Sequence, residues 1–335
     1  MTQPKKTIPI FEDREARLVC PHIYQIPLPV PYPFGYVNCY LLKGPDSVAL
    51  VDTGIDYPDT TAALKSALQE FGMAYADIDM VLMTHHHPDH YGNAGLFEEA
   101  GATVFMLDLE IQSGHHFFAH LDEGLEQFER EFTRHGVPEE IQNVNFEDIR
   151  TNRSHMHLPS RLQPLQHGQT IDIAGMRLHV IWTPGHADGH ASFLTEDGIL
   201  LSGDFLLERI TPIIGKWPYS RPEPLRDFLN ALENVKDHSP KMALTGHYGP
   251  SIPALERSQQ LITHHHRRLD ATLGALGETP KTAWDISLDL FSAQLDAKQR
   301  RFAWAETLAH LEYLEQEGQL VSESTSESGV TFSTT

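Results

Sequence analysis

Cysteine is nearly missing from this chain of 335 residues. Cys20 and Cys39 form no Cys-x-x-Cys pair, which excludes a disulfide scaffold and makes a reducing, cytoplasmic setting the expectation. Positive charge is also short, with 25 Lys and Arg against 46 Asp and Glu and a formal net charge of −21. Surfaces that hold nucleic acid or anionic membranes need net basic charge, so neither partner class is expected. No apolar run approaches the roughly 18 residues of a membrane span, and the opening MTQPKKTIPIFEDRE lacks the apolar centre of an export signal. What the chain does have is a 40% hydrophobic fraction, enough for a full core in one large domain or a domain with an appendage. It also has 21 histidines, and their positions carry the functional reading.

The first stretch is β-rich. HIYQIPLPVPYPFG reads as a strand followed by a proline-punctuated loop, and YVNCYLLKG and DSVALVDTG as strands on either side of a Gly-Pro-Asp turn. Leu64, Leu68 and Phe71 then have helical spacing, residues 78–83 read as a buried strand, and residues 93–100 as a short helix. This alternation predicts a layered α/β core. Residues 107–160 break the rhythm. Phe117, Leu121, Leu125, Phe128 and Phe132 predict one amphipathic helix, in a region with 13 acids and 3 bases between residues 97 and 150. An ordinary solvated helix and a cover over the site explain this helical insertion equally well. After Pro164, the runs TIDIAG, RLHVIWTPG, ASFLTEDGILLSGD and KMALTGHYG return to strands. From residue 252 a long helix, two further helices and a strand-turn-strand tail have the outline of a small winged-helix module. The expected organisation is a catalytic domain over 1–251 and a C-terminal module over 252–335.

The chemistry concentrates in Thr84-His85-His86-His87-Pro88-Asp89-His90, which follows a buried strand and precedes a helix. Residues i and i+2 at a strand end point the same way, so His85 and His87 can converge on one cation. Past the Pro88 turn, Asp89 and His90 can offer an oxygen and a nitrogen to a second. Imidazole and carboxylate donors suit Zn²⁺, and also Fe or Mn. Three adjacent histidines could equally be a solvated loop, but the H-x-H-x-D-H order is far more restrictive. Three more apolar strands end in candidate ligands beside glycine: His186 in TPGH, Asp204 in SGD and His247 in TGH.

These ordered motifs, VDTG with Asp52, HHHPDH, TPGH, SGD and GH, resemble those of the metallo-β-lactamase superfamily over residues 22–250. The resemblance implies an αββα sandwich with a dinuclear metal site at one edge, here with the helical insertion and the winged-helix-like module added. It implies that His85, His87 and His186 hold one metal, that Asp89, His90 and His247 hold the other, and that Asp204 bridges them. Asp52 would sit behind the ligands and orient them. Tyr248 follows His247 where glycine is common in the family. Two cations a few Å apart would lower the pKa of a shared water from 15.7 to roughly 7. They would also take up the negative charge developing on a carbonyl or phosphoryl oxygen. Asp89 would orient the nucleophile or shuttle its proton, with Asp204 the other catalytic carboxylate. The redox branch of the family carries glutamate in place of His87, so hydrolysis is the expectation.

The HHHPDH motif also resembles glyoxalase II thioesterases, though their helical glutathione-binding tail is missing. The C-terminal module resembles that of RNA-cutting relatives, yet residues 282–335 hold 9 acids and 3 bases, the wrong sign for gripping phosphates. A packing or dimerisation role suits it better, which makes a homodimer the expected protein partner. The leading expectation is therefore a hydrolase of a small-molecule thioester, lactone or other ester, using two divalent metal ions with zinc foremost. A phosphodiesterase or ribonuclease and a non-catalytic metal-retaining binding protein are the alternatives. Among the remaining candidates, His190 is expected behind the ligands. The run His264 to Arg268 is expected on a solvated helix face with one packed histidine. His115 and His116 could line the cleft, Phe34 or Tyr36 could touch substrate, Arg209 to Pro212 could shape the cleft, and Cys39 is expected to be a buried small hydrophobe.

Overall fold

Alternation along the strands sorts side chains between two cores. A computed structural model describes residues 15–249, 251–277, 279–325 and 329–335. The first fourteen residues, most of the opening segment discussed above, lie outside the described residues, as does the turn at 326–328. In order, the first half contains β1 (Arg17–Cys20), β2 (Ile23–Pro29), β3 (Tyr36–Lys43), β4 (Val48–Val51), α1 (Pro58–Glu70), β5 (Met80–Leu82), α2 (Pro88–Tyr91), α3 (Ala94–Glu99) and β6 (Thr103–Leu107). The insertion follows as α4 (Asp108–Glu110), a π-helical turn at Ile111–His115, α5 (His116–Ala119), α6 (Leu121–Arg134) and α7 (Glu139–Ser154). Next come β7 (Gln163–Leu165), β8 (Thr170–Ile173), β9 (Met176–Trp182), β10 (Ala191–Thr195), β11 (Ile199–Gly203), α8 (Pro224–Asn234) and β12 (Met242–Thr245). The chain closes with α9 (Ala254–Ala275), β13 (Lys281–Thr282), α10 (Ala283–Leu290), α11 (Ala297–Gln316), β14 (Leu320–Thr325) and β15 (Gly329–Thr334).

Strands β1 to β7 form one sheet in chain order, and β12-β11-β10-β9-β8 form a second. Strands β4 to β7 pair in parallel, as do β11 and β12, while the other pairs in these two sheets are antiparallel. On β3, Tyr40 and Leu42 point into the core between the sheets, where they meet Leu178, Val180 and Phe193 of the second sheet. Val37, Cys39 and Leu41 point the other way, into the core that also holds Leu64 and Leu68 of α1. Helices cover the outer face of the second sheet too, where Leu200 and Ala243 share that core with Phe228 of α8 and Leu261 of α9. Both faces of both sheets are thus buried, giving the expected αββα sandwich. As expected, Cys39 is fully buried.

The insertion departs from the single helix predicted for residues 117–132. The chain leaves the helix at His120 (φ −123°, ψ 52°), so Phe117 lies on α5 while Leu125, Phe128 and Phe132 lie on α6. The apolar spacing survives because the break folds Phe117 back onto the same face, its ring against Gly124 and 5.6 Å from the Phe128 ring. Helix α8, which the sequence reading did not single out, presents Leu225, Phe228, Leu229 and Leu232 to the second sheet.

At the C-terminal end, α10 and α11 begin with capping boxes, Thr282 with Asp285 and Asp296 with Gln299. Each satisfies orphan amides at a helix start, worth about 1 kcal/mol. The β14-β15 hairpin pairs with β13 in a third, three-stranded sheet. This unit does not stand apart from the insertion. Trp304 of α11 is fully buried with its ring 4.9 Å from Phe132 of α6, and Arg301 of α11 meets Asp148 of α7 at 3.2 Å. Among the described residues no helix is long and apolar enough to cross a membrane.

Candidate metal centre

Each motif singled out in the sequence lies just past the C-terminal end of a strand. His85, His87, Asp89 and His90 follow β5 and run into α2, where Pro88 takes the first helical position and turns the chain. His186 follows β9, Asp204 follows β11, and His247 follows β12. Bonds beside the site tie the two sheets together. Asn38 of β3 donates from its backbone to Gly246 O (2.7 Å) and from its side chain to Thr245 O (3.0 Å), and the Tyr40 hydroxyl donates to Thr245 O at 2.6 Å.

The side chains from these four strand ends converge. Among the described residues, three groups have donor atoms close enough to hold a cation: His85 with His87 and His186; Asp89 with His90 and His247; and His85 with His90 and Asp204. His85 Nε2 lies 3.0 Å from His87 Nδ1. The Asp204 carboxylate stands between the first two groups. Its Oδ2 is 3.6 Å from His186 Nε2 and 3.4 Å from His247 Nε2, and its Oδ1 is 3.4 Å from His90 Nε2. Asp89 Oδ2 is 3.3 Å from His247 Nε2 and 3.8 Å from His90 Nε2.

Around this ring, other atoms fix the orientation of His90, His186 and His247. Asp52, just past β4 in the left-handed region (φ 59°), accepts from Thr84 N at 2.8 Å and lies 2.7 Å from His90 Nδ1. Aspartate tolerates that backbone conformation better than most residues. His186 Nδ1 meets Ile213 O at 2.9 Å, and His247 Nδ1 meets Tyr36 O at 2.6 Å. His190 sits behind the cluster, where its Nε2 accepts from Asp204 N at 3.2 Å and its Nδ1 meets Thr183 Oγ1 at 2.8 Å. With one ring nitrogen tied to protein, the other is left to face inward.

The donor set fits divalent cations on two counts. His186 Nε2 and Asp204 Oδ1 are buried with no hydrogen-bond partner, and such orphans are costly unless something else meets them. For His85, His87 and His186 the protonation pattern suits ligation as well. Burial, reinforced by His90, His87 and His186, pushes His85 well below the usual imidazole range. Burial and His186 do the same to His87, and burial lowers His186 against the pull of Asp204. Neutral imidazoles with free lone pairs are what a metal requires. Burial pushes the Asp204 carboxyl up, but His247 and His90 overcome it and hold the group well below the usual carboxylate range. His247 feels the reverse: burial lowers it, and Asp204 and Asp89 bring it up to about 10.

Several residues at the rim have partners the sequence reading did not assign. Phe34 lies against the site, its ring 4.4 Å from His247, and Tyr36 contributes its backbone oxygen. His115 points to Tyr91 OH at 2.8 Å. Tyr248 takes φ +67°, the left-handed region glycine favours. His265 is the packed histidine of the run 264–268, stacked on His310 at 5.4 Å and away from the metal-ligand candidates. Glu110 was missed altogether. It is fully buried and accepts from His86 N at 2.9 Å and Gly189 N at 2.7 Å. The one signal for it was the unused middle histidine of the HHH run, which had to find a partner on the other side of the strand end. Tyr219, 3.4 Å from His86 Nε2 through its hydroxyl, was also missed.

The chain is similar to known proteins over most of its length. A family model described as the metallo-beta-lactamase superfamily matches residues 32–247, and one described as the metallo-beta-lactamase-like C-terminal domain matches residues 269–335. The crystal structure of a metallo-beta-lactamase family protein from Thermus thermophilus superposes with a TM-score of 0.87 at 43% identity, covering 95% of this chain and 100% of that one. A probable metallo-hydrolase of Bacillus subtilis (YqjP) is 28% identical, covering 90% of this chain and 94% of the relative. An atrochrysone carboxyl ACP thioesterase of Passalora fulva is 24% identical, covering 82% of this chain and 69% of that protein.

Proposed function

The chain belongs to the metallo-β-lactamase superfamily and is a metallo-hydrolase, and from that premise we propose that it cleaves a small-molecule thioester, lactone or other ester at a site for two divalent metal ions, zinc foremost. In this reading His85, His87 and His186 hold one ion, Asp89, His90 and His247 hold the other, and Asp204 serves both. Bound there, the ions supply Lewis acidity, which makes water a nucleophile at neutral pH and polarises the carbonyl under attack. The chain's own residues do the rest. Asp52 and Ile213 O keep His90 and His186 from rotating, which holds their inward nitrogens in place. In this reading Asp89, whose carboxylate faces His247 Nε2, orients the attacking water or takes its proton.

The observation that carries the choice of an ester is the character of the surroundings. Phe34 flanks His247 with its ring 4.4 Å from the imidazole, while Phe118 and Tyr219 pack on the buried His86 behind the ligand cluster. An aromatic ring at the rim suits an acyl chain or a lactone ring, whereas a polyanionic nucleic acid needs lysine and arginine. The thioesterase relative supports the same class. A substrate panel tests the reading. Zinc-loaded protein is expected to hydrolyse acyl thioesters or lactones. Cleavage of bis-p-nitrophenyl phosphate or RNA with no turnover of any ester would overturn the choice in favour of phosphodiester hydrolysis.

A further inference from the structure

Glu110 ends α4, where the insertion begins, and a buried carboxylate is costly unless its oxygens are met by donors. Here both are. Oε1 accepts from the backbone amide of His86 at 2.9 Å and also meets the Nδ1 atom of the same residue. Oε2 accepts from the backbone amide of Gly189 at 2.7 Å. His86 sits between His85 and His87, and Gly189 sits between His186 and His190, so one carboxylate grips two ligand-bearing loops by their main chains. Resting on the ligand reading above, we infer that Glu110 is a positioning residue: it clamps the loop carrying His85 and His87 to the loop carrying His186 and so sets the spacing of the three imidazoles.

The packing around the clamp supports this. A Cβ on Gly189 would overlap the backbone nitrogen of Glu110, so only glycine lets the 186–190 loop approach this closely. A Cβ on Gly114 would overlap the His86 ring, and Gly114 lies in the π-helical turn that follows Glu110. Extra turns of this kind re-aim side chains inside helices and recur at functional sites. The bond from Ala191 N to Thr84 O (2.8 Å) joins the same two strand ends one layer further in, and Glu110 repeats that tie nearer the ligands. Tyr219 OH, 3.4 Å from His86 Nε2, extends the contact to the segment that follows Asp204. The start of the insertion is therefore a splint for the metal centre, whatever its later helices do.

The decisive measurement is zinc affinity, read by competition with a chromophoric chelator. In Glu110→Gln one carboxylate oxygen becomes an amide that cannot accept, so one loop is released, and zinc affinity is expected to fall about 10- to 100-fold. His86→Ala keeps its backbone amide and should lose less. Affinity in Glu110→Gln within about twofold of wild type, or a larger loss in His86→Ala, overturns the clamp. If Glu110→Gln fails to fold, wild-type protein treated with chelator gives the answer by hydrogen exchange. The His86 and Gly189 amides are expected to be protected there, and exchange at the rate of open loops overturns the proposal. Asp204→Ala, measured alongside, separates the two readings. Unchanged zinc affinity in that variant means the ligand set is wrong; loss there with none in Glu110→Gln means only the clamp is wrong.

Discussion

Among the described residues two clusters of buried histidine stand out, and the groups that face them differ. At the strand ends, five imidazoles meet two carboxylates, Asp89 and Asp204, with inward nitrogens and oxygens mostly 3.3 to 3.8 Å apart. Between α9 and α11, His265 Nδ1 meets His310 Nε2 at 3.2 Å, and His310 Nδ1 meets the backbone oxygen of Glu306 at 2.6 Å. The Glu306 carboxylate turns instead to Arg268 at 3.6 Å. Burial pushes His265 down to about 2 and His310 down to about 4, so both rings are neutral. His310 spends its two ring nitrogens on His265 and on the main chain, while His265 Nε2 is buried with no hydrogen-bond partner. Histidine density alone is thus a poor guide to a metal centre. Convergent donors with carboxylates among them are what set the first cluster apart.

The contrast can be broken in four ways. Asp204→Ala removes the carboxylate that faces both ligand groups. It is expected to cost hydrolysis at least about 10³-fold and to lower the metal content measured by mass spectrometry; wild-type turnover would erase the distinction between the clusters. Glu306→Gln acts on stability in the second cluster. Burial raises the Glu306 carboxyl to about 7, so the folded protein keeps a proton that the unfolded chain releases above its ordinary value of 4.5. Wild-type stability therefore falls as pH rises from 4.5 through 7, and the glutamine variant escapes that loss. Urea unfolding at pH 5 and pH 8 should show the variant gaining about 2 to 3 kcal/mol relative to wild type over that range. Should no such gain appear, Glu306 is already ionised in the fold.

Asp52→Asn leaves an amide at a position that meets both Thr84 and His90. Metal affinity or kcat is expected to drop about 10- to 100-fold while the folded content by circular dichroism holds. The smallest effect belongs to His310→Gln. It should cost roughly 1 to 2 kcal/mol through the broken pair with His265 and leave metal content unchanged. Loss of metal in that variant would join the two clusters that the geometry separates.

The convergence of the strand-end histidines and aspartates was legible in the sequence because their motifs end apolar strands, and strand ends with glycine beside them are local signals. The layered fold was legible for the same reason: Val37, Cys39 and Leu41 alternate with Asn38, Tyr40 and Leu42 in an all-buried strand, bounded by turn residues. Glu110 was not legible, since its donors lie in two distant loops and nothing marks it among the acids of residues 97–150. The helix break at His120 was hidden as well, because the apolar spacing runs through it unchanged. Nor could spacing show that Phe132 and Trp304, from the insertion and the C-terminal unit, would share a core.

That shared core has a consequence for how this scaffold can change. Asp148 of α7 binds both Arg301 and Lys298 of α11, and Asn145 of the same helix donates to Ala297 O at 3.2 Å. A chimera whose insertion came from a relative lacking Asp148 and Phe132 would leave a buried arginine without its carboxylate and Trp304 without its aromatic neighbour. The two segments, far apart along the chain, therefore behave as a single exchangeable cassette that recombination or protein engineering must transplant together.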